Sequence, residues 1–230
     1  MKKNLKKGIS LIRYGAALKL NLVLFVMISV LGIVAEILNY QMCIFGGAMV
    51  FDLGAVFLLC AAMFPGQMTL SVDLAALVQT SPHKKNIQTT MMTEMNIVCG
   101  LIAMTSIVVI RLIMCAVTGT GLAEGLGNLW YTAGIVEFAL LIFFAVCYKY
   151  FILSMAVMYL FLIVTGACIG FAMGSGIISS AQLILHPLGS LTVSYVLLFA
   201  GTFLGNLVSR LLYKKNLSKI AFGAAVQKMK

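Results

Sequence analysis

From Tyr150 to Ser209, sixty consecutive residues pass without an Asp, Glu, Lys or Arg, and only the Gly-, Ser- and His-Pro-containing stretch from Gly174 to Gly189 interrupts their apolar character. Water cannot solvate a fold built on such a run. A membrane-spanning helix needs about 20 mostly apolar residues, so the run reads as two spans and a turn. Its apolar residues are continuous rather than alternating, which favours helices over the strands of a barrel. The rest of the chain agrees: 62% of its 230 residues are apolar and 10% charged, against about 45–50% and about 25% in globular domains. An all-α integral membrane protein follows, a single transmembrane domain over residues 1–230 with no room for a sizeable soluble catalytic domain.

Six apolar windows serve as the expected spans: 20–38, 43–64, 97–117, 130–147, 151–174 and 189–209. Fifteen of the sixteen basic residues then fall on one side, in residues 1–19, at Lys84, Lys85 and Lys149, and from Arg210 onward. Basic residues in short loops mark the cytoplasmic face, so both termini are expected there. The net charge of +10 is accordingly an orientation signal toward anionic lipid rather than a nucleic-acid footprint. The first apolar run is long and lacks a small-x-small cleavage site, so it is expected to remain as an anchor.

Within residues 1–19, Leu5, Ile9, Ile12 and Ala16 share one helical face, with Lys2, Lys3, Lys6 and Arg13 on the opposite flank. This pattern predicts an interfacial helix, the alternative being a basic leader without structure. The long inner connection is 65–95. Leu70, Leu74 and Leu77 mark one helical face there, and Thr80-Ser81-Pro82 marks a turn before exposed His83, Lys84 and Lys85. A short helix across the membrane face suits a groove on a cytoplasmic partner; a surface loop without a partner is the plainer reading.

Four ionisable residues fall inside the windows: Glu36, Asp52, Arg111 and Glu137. Each costs about 2.5–3.5 kcal/mol at a helix centre even on lenient scales, so each needs a partner or water. Counted from the window ends, Arg111 and Glu137 lie at similar depth and are expected to be able to pair, either fixing helix register or lining an outward vestibule. No chain of titratable groups runs through the thickness, which disfavours proton-coupled transport. Gly166, Gly170 and Gly174 form overlapping GxxxG repeats, and Gly201 with Gly205 another. These serve close helix packing within a subunit or between copies.

The six cysteines are scattered and fit small buried residues rather than metal ligands. His83 and His186 have no second ligand type at metal spacing. No phosphate-binding loop, HExxH or nucleophile elbow occurs, so the chain is expected to be no enzyme, with no catalytic, cofactor-binding or metal-binding residues of its own.

The segment Leu77-Val-Gln-Thr-Ser-Pro-His-Lys-Lys-Asn-Ile87, set between the second and third spans of this architecture, resembles the inner loop of ABC-2-type transporter permeases, the membrane subunits of many bacterial exporters. The resemblance implies that residues 1–19 are the elbow helix and that Asp73, Leu74, Leu77, Ser81, Pro82, His83, Lys84 and Lys85 belong to the element coupled to an ATPase subunit. The family often has an acidic and basic cluster just after the second span, where this chain offers only Asp73. Also implied are a second permease copy, most simply a homodimer, ATP and Mg in the partner ATPase, a bacterial cytoplasmic membrane, and an outer re-entrant element at 174–189.

An exporter subunit moving a hydrophobic or amphipathic solute is the first reading, with peptide toxins or antimicrobials the expected cargo, because the expected path is apolar and its fifteen methionines suit adaptable surfaces. The alternative is the substrate-binding membrane component of a vitamin importer, whose polar pocket Glu36, Asp52, Arg111 and Glu137 could supply. A non-transport membrane protein, such as an assembly factor, is the third reading.

Overall fold

The computed structural model describes residues 9–10, 18–46, 52–64, 82, 85–146, 150–177 and 184–212, and no strand occurs among them. The elements are α1 (Leu18–Gly46), α2 (Leu53–Ala62), a π-helical turn (Asn86–Met91) running into α3 (Met92–Thr118), α4 (Leu122–Leu126), a second π-helical turn (Trp130–Gly134) running into α5 (Ile135–Val146), α6 (Phe151–Gly174) and α7 (Pro187–Leu212). Five stretches are long and apolar enough to cross a membrane: Lys19–Leu38, Asn86–Thr118, Leu122–Val146, Ser154–Ala172 and Pro187–Leu212. This is the build of a multi-pass membrane protein.

The expected second span, 43–64, falls on two helices. Cys43–Gly46 completes α1, and α2 begins afresh at Leu53 with ten residues, about 15 Å of helix. Asp52 is the reason. Its backbone is extended and its Oδ1 accepts from the N–H groups of Gly54 at 2.9 Å and Ala55 at 3.2 Å, an N-cap that a helix cannot run through. The third span is longer than its window, since helix runs from Asn86 and the buried Thr89 hydroxyl donates to Lys85 O at 2.6 Å. The fourth begins at Leu122 rather than 130.

Ends follow ordinary chemistry. Gly119, at φ 71°, closes α3 with its N–H donating to Cys115 O, a left-handed conformation that glycine adopts without steric penalty. Pro187 opens α7 at the first helical position, where its missing N–H goes unnoticed. Leu185 N–H donates to Gly127 O at 3.0 Å, tying the residues before α7 to the α4 turn. Within the expected re-entrant segment 174–189, residues 178–183 lie outside the described set.

Glu36 faces Gly54 and Gly32 faces Leu58, so α1 and α2 are antiparallel. Gly134 meets Ser194, Gly201 meets Phe138 and Gly205 meets Ala145, so α5 and α7 run parallel; Gly100 of α3 faces Glu137 whereas Arg111 reaches Asn128 and Thr132, so α3 runs the opposite way. Lys85 and Arg210 thus mark one end of the bundle, Gly119 and Pro187 the other. Leu59, Met104, Ile107, Leu141 and Leu198 fill the core between α2, α3, α5 and α7. Of the spanning windows, that of α4–α5 is 72% buried and that of α6 not at all. α5 is central and α6 peripheral.

Candidate functional site

Arg111, on α3, is 3% exposed and spends every N–H it has. Its Nε donates to Glu36 Oε1 of α1 at 2.7 Å, and its Nη2 to Asp52 Oδ2 at 2.6 Å and Thr132 Oγ1 at 3.3 Å. Its Nη1 donates to Asn128 Oδ1 at 2.6 Å and Gly125 O at 3.3 Å. A guanidinium has five N–H donors, and here five acceptors meet them. Asp52 serves twice, one oxygen holding Arg111 and the other capping α2. The approach of α1 to α2 that brings Glu36 into reach depends on Gly54, where a Cβ would stand 2.2 Å from Glu36 N.

Glu36 Oε2 is buried without a hydrogen-bond partner among the described residues, and the surrounding shell is also polar. Tyr40 OH meets Cys115 Sγ at 3.0 Å and Thr120 Oγ1. Trp130 N–H, in the second π-helical turn, donates to Ser190 Oγ at 3.2 Å. Irregular turns of this kind free backbone groups from the i→i−4 ladder, and they concentrate near functional clusters. The arrangement joins α1, α2, α3 and the α4–α5 connection through one cation.

Glu137 is not part of it. The expected Arg111–Glu137 pair does not form: Glu137 lies beside Gly100, eleven residues along α3 from Arg111, about 16 Å. The span starts not at Trp130 but eight residues earlier, at Leu122, which sinks Glu137 deeper. The level of Arg111 belongs instead to Asn128 and Thr132, two uncharged side chains that carry no charge signal in the sequence. A readable signal did exist in Asp52, whose position just ahead of Leu53-Gly54 fits a helix start.

Of the expected coupling residues, Pro82 and Lys85 are exposed just ahead of α3, while Asp73, Leu74, Leu77, Ser81, His83 and Lys84 lie outside the described residues, as does residues 1–19 apart from Ile9, Ser10, Leu18 and Lys19. The two glycine repeats part company. Gly201 and Gly205 pack inside the subunit, where a Cβ would stand 3.1 Å from Phe138 Cα and from Ala145 Cβ respectively. Gly166, Gly170 and Gly174 lie on α6, and a Cβ at Gly170 would meet nothing within 4 Å.

Between α5 and α6 an apolar groove of about 210 Å³ opens, lined by Phe138, Ile142, Phe143, Met158 and Phe161 together with Ser154. It can take an acyl chain or an apolar side chain. Among the described residues no group of three His, Cys, Asp or Glu could hold a metal ion.

Comparison of the chain with protein-family models, with curated proteins and with solved structures finds no match. What the chain does is therefore read from its own residues.

Proposed function

We propose that the chain is the permease subunit of an ATP-driven ABC exporter of a bacterial cytoplasmic membrane. It works as a dimer with two copies of an ATPase subunit, where ATP and Mg bind, and moves hydrophobic or amphipathic solutes such as peptide toxins or antimicrobials. The observation that carries the reading is the contrast between a clamped core and bare outer helices. Helices α2, α3, α5 and α7 pack together, whereas the spanning windows of α1 and α6 are 11% and 0% buried. A second copy would cover such faces, with Gly166, Gly170 and Gly174 allowing close approach, and the α5–α6 groove offers apolar cargo a place beside them.

Saturation of Arg111 also favours export of apolar cargo over vitamin capture. The importer reading needs a preorganised polar pocket, and Arg111 has no donor left to give a ligand. Coupling would enter through 73–85, with Pro82 and Lys85 exposed where α3 begins.

Affinity purification from native membranes in mild detergent, with mass spectrometry of what co-purifies, tests the reading. A stoichiometric P-loop ATPase without a separate scaffold permease is the expected result. A different large membrane scaffold would point to the importer, and no ATPase at all would remove the coupling. Lys84→Glu with Lys85→Glu should abolish ATP-driven transport while leaving membrane insertion intact; unchanged transport would overturn the assignment of that segment.

A further inference from the structure

Glu137 is 0% exposed, and neither of its carboxyl oxygens has a hydrogen-bond partner. Its Oε1 occupies the space that the missing side chain of Gly100 leaves, 2.6 Å from where a Cβ would be, with Leu198 Cδ1 3.7 Å from the same point. An ionised carboxylate in that position carries a large desolvation penalty with nothing to offset it.

Among the described residues no neighbouring charge offsets it. On α3 the ionisable residues are Glu94, Cys99, Arg111 and Cys115; on α7, Tyr195 and Arg210; on α2, Cys60; on α6, Tyr159 and Cys168; α5 has no other. Arg111 is spent on its five acceptors, and the exposed Arg210 donates to Asn206 Oδ1 at 3.2 Å. A bound metal cation is also unsupported, because hard cations gather about six or more oxygens and Glu137 is met here by Gly100 and Leu198.

One helical turn toward the Lys85 end, the setting changes. Asn96 follows Gly100 on α3, Thr202 follows Leu198 on α7 and Leu141 follows Glu137 on α5; these three line a narrow cleft that continues past Asn206 and Ser209. Its free space is about 10 Å³, roughly one water molecule. Glu137 therefore stands one helical turn beyond a partly polar cleft lined by Asn96, Thr202, Asn206 and Ser209 together with apolar Met92, Leu141 and Ala145, while the saturated arginine cluster stands on its other side.

We propose that Glu137 is a proton-binding site. The carboxyl is held as the neutral acid and exchanges its proton with the Lys85 end of the bundle through the Asn96–Thr202 cleft. When the O–H bond breaks, the proton passes to a water of the cleft and the carboxylate stays behind, drawing water into the α3–α5–α7 junction and loosening it. Access from one side makes this a switch and not a relay across the membrane, and it does not depend on the exporter reading.

Infrared spectroscopy of the full chain in lipid nanodiscs tests it. A carboxylic-acid C=O band that Glu137→Gln removes is expected at neutral pH, with a deuterium shift in D2O. Raising the pH should bleach that band and increase hydrogen exchange over residues 196–206, corrected for intrinsic pH dependence, in the parent chain but not in Glu137→Gln. Absence of such a band, or identical exchange in both proteins, would overturn the proposal. Should Glu137→Gln fail to assemble, Glu137→Asp must move the band; an unmoved band has the same negative meaning.

Discussion

Replacing Arg111 with Met isolates what the cluster contributes. The substitution keeps an apolar stem of similar length but takes the donors from Glu36 Oε1, Asp52 Oδ2 and Asn128 Oδ1 together, leaving two buried carboxyl groups without their cation. Removing one member of a buried ion pair costs about 3–5 kcal/mol, a drop in melting temperature on the order of 10 °C for a chain of this size. The decisive comparison is the triple variant Glu36→Gln, Asp52→Asn, Arg111→Met. It removes all three charges, and because the asparagine Oδ1 still accepts from Gly54 N and Ala55 N, the α2 cap survives. The triple variant should recover most of the loss. Thermal unfolding in detergent, followed by fluorescence of the single tryptophan, Trp130, reads this directly, because that residue lies in the π-helical turn two residues from Asn128. If Arg111→Met melts within about 0.5 kcal/mol of the parent, as a surface change would, or if the triple variant is no better than the single, the clamp is not holding the helices.

Gly54→Ala should be at least as harmful as a buried overpacking, about 1–3 kcal/mol, since its Cβ would press on the Glu36 backbone at 2.2 Å, where nothing flexible can yield; the same melts check it. Gly205→Leu should destabilise the subunit by forcing α7 from α5, whereas Gly170→Leu, with open space around it, should leave the melt unchanged. In membranes, Gly170→Leu should instead reduce cross-linked dimer; a lowered melt together with an undisturbed dimer would show that α6 packs within the subunit. Asp52→Ala should fall below Asp52→Asn by about 1 kcal/mol for the lost cap alone, and equal melts would remove Asp52 from that role.

The apolar runs already announced the helices, because crossing hydrocarbon demands length and continuity whatever the tertiary packing. The four intramembrane charges were equally legible as a set, and three of them do converge. What failed was pairing by depth. Counting from the first apolar residue ignored Leu122–Gly127, which extends the helix outward on the strength of Leu122 and Leu126 despite Glu124 and three glycines among its neighbours. Cys43–Phe64 failed for a related reason: hydropathy weighs Asp52 as one unfavourable residue, while the backbone treats it as the start of a helix. Asn128 and Thr132 carry no sign of their task, since an uncharged acceptor becomes part of an ion cluster only once α3 is laid beside it. Gly201 and Gly205 were readable as packing residues, but which repeat faces inward depends on α6 lying outside the core.

Residues Asn86–Thr118 form one continuous 33-residue helix, π-helical over Asn86–Met91 and α-helical beyond, about 50 Å long, with Lys85 at its tip and Arg111 far along it. Tilting such a rod by about 5° about its middle moves each tip by about 2 Å. Arg111, nine residues from that middle, moves by about 1 Å, and bonds of 2.6 and 2.7 Å to Asp52 and Glu36 cannot stretch by that much and keep their geometry. α1 and α2 must therefore travel with the rod, or the cluster must shear. A load applied beside Lys85 is felt at the far end as a pull on two other helices, delivered by a single stiff lever.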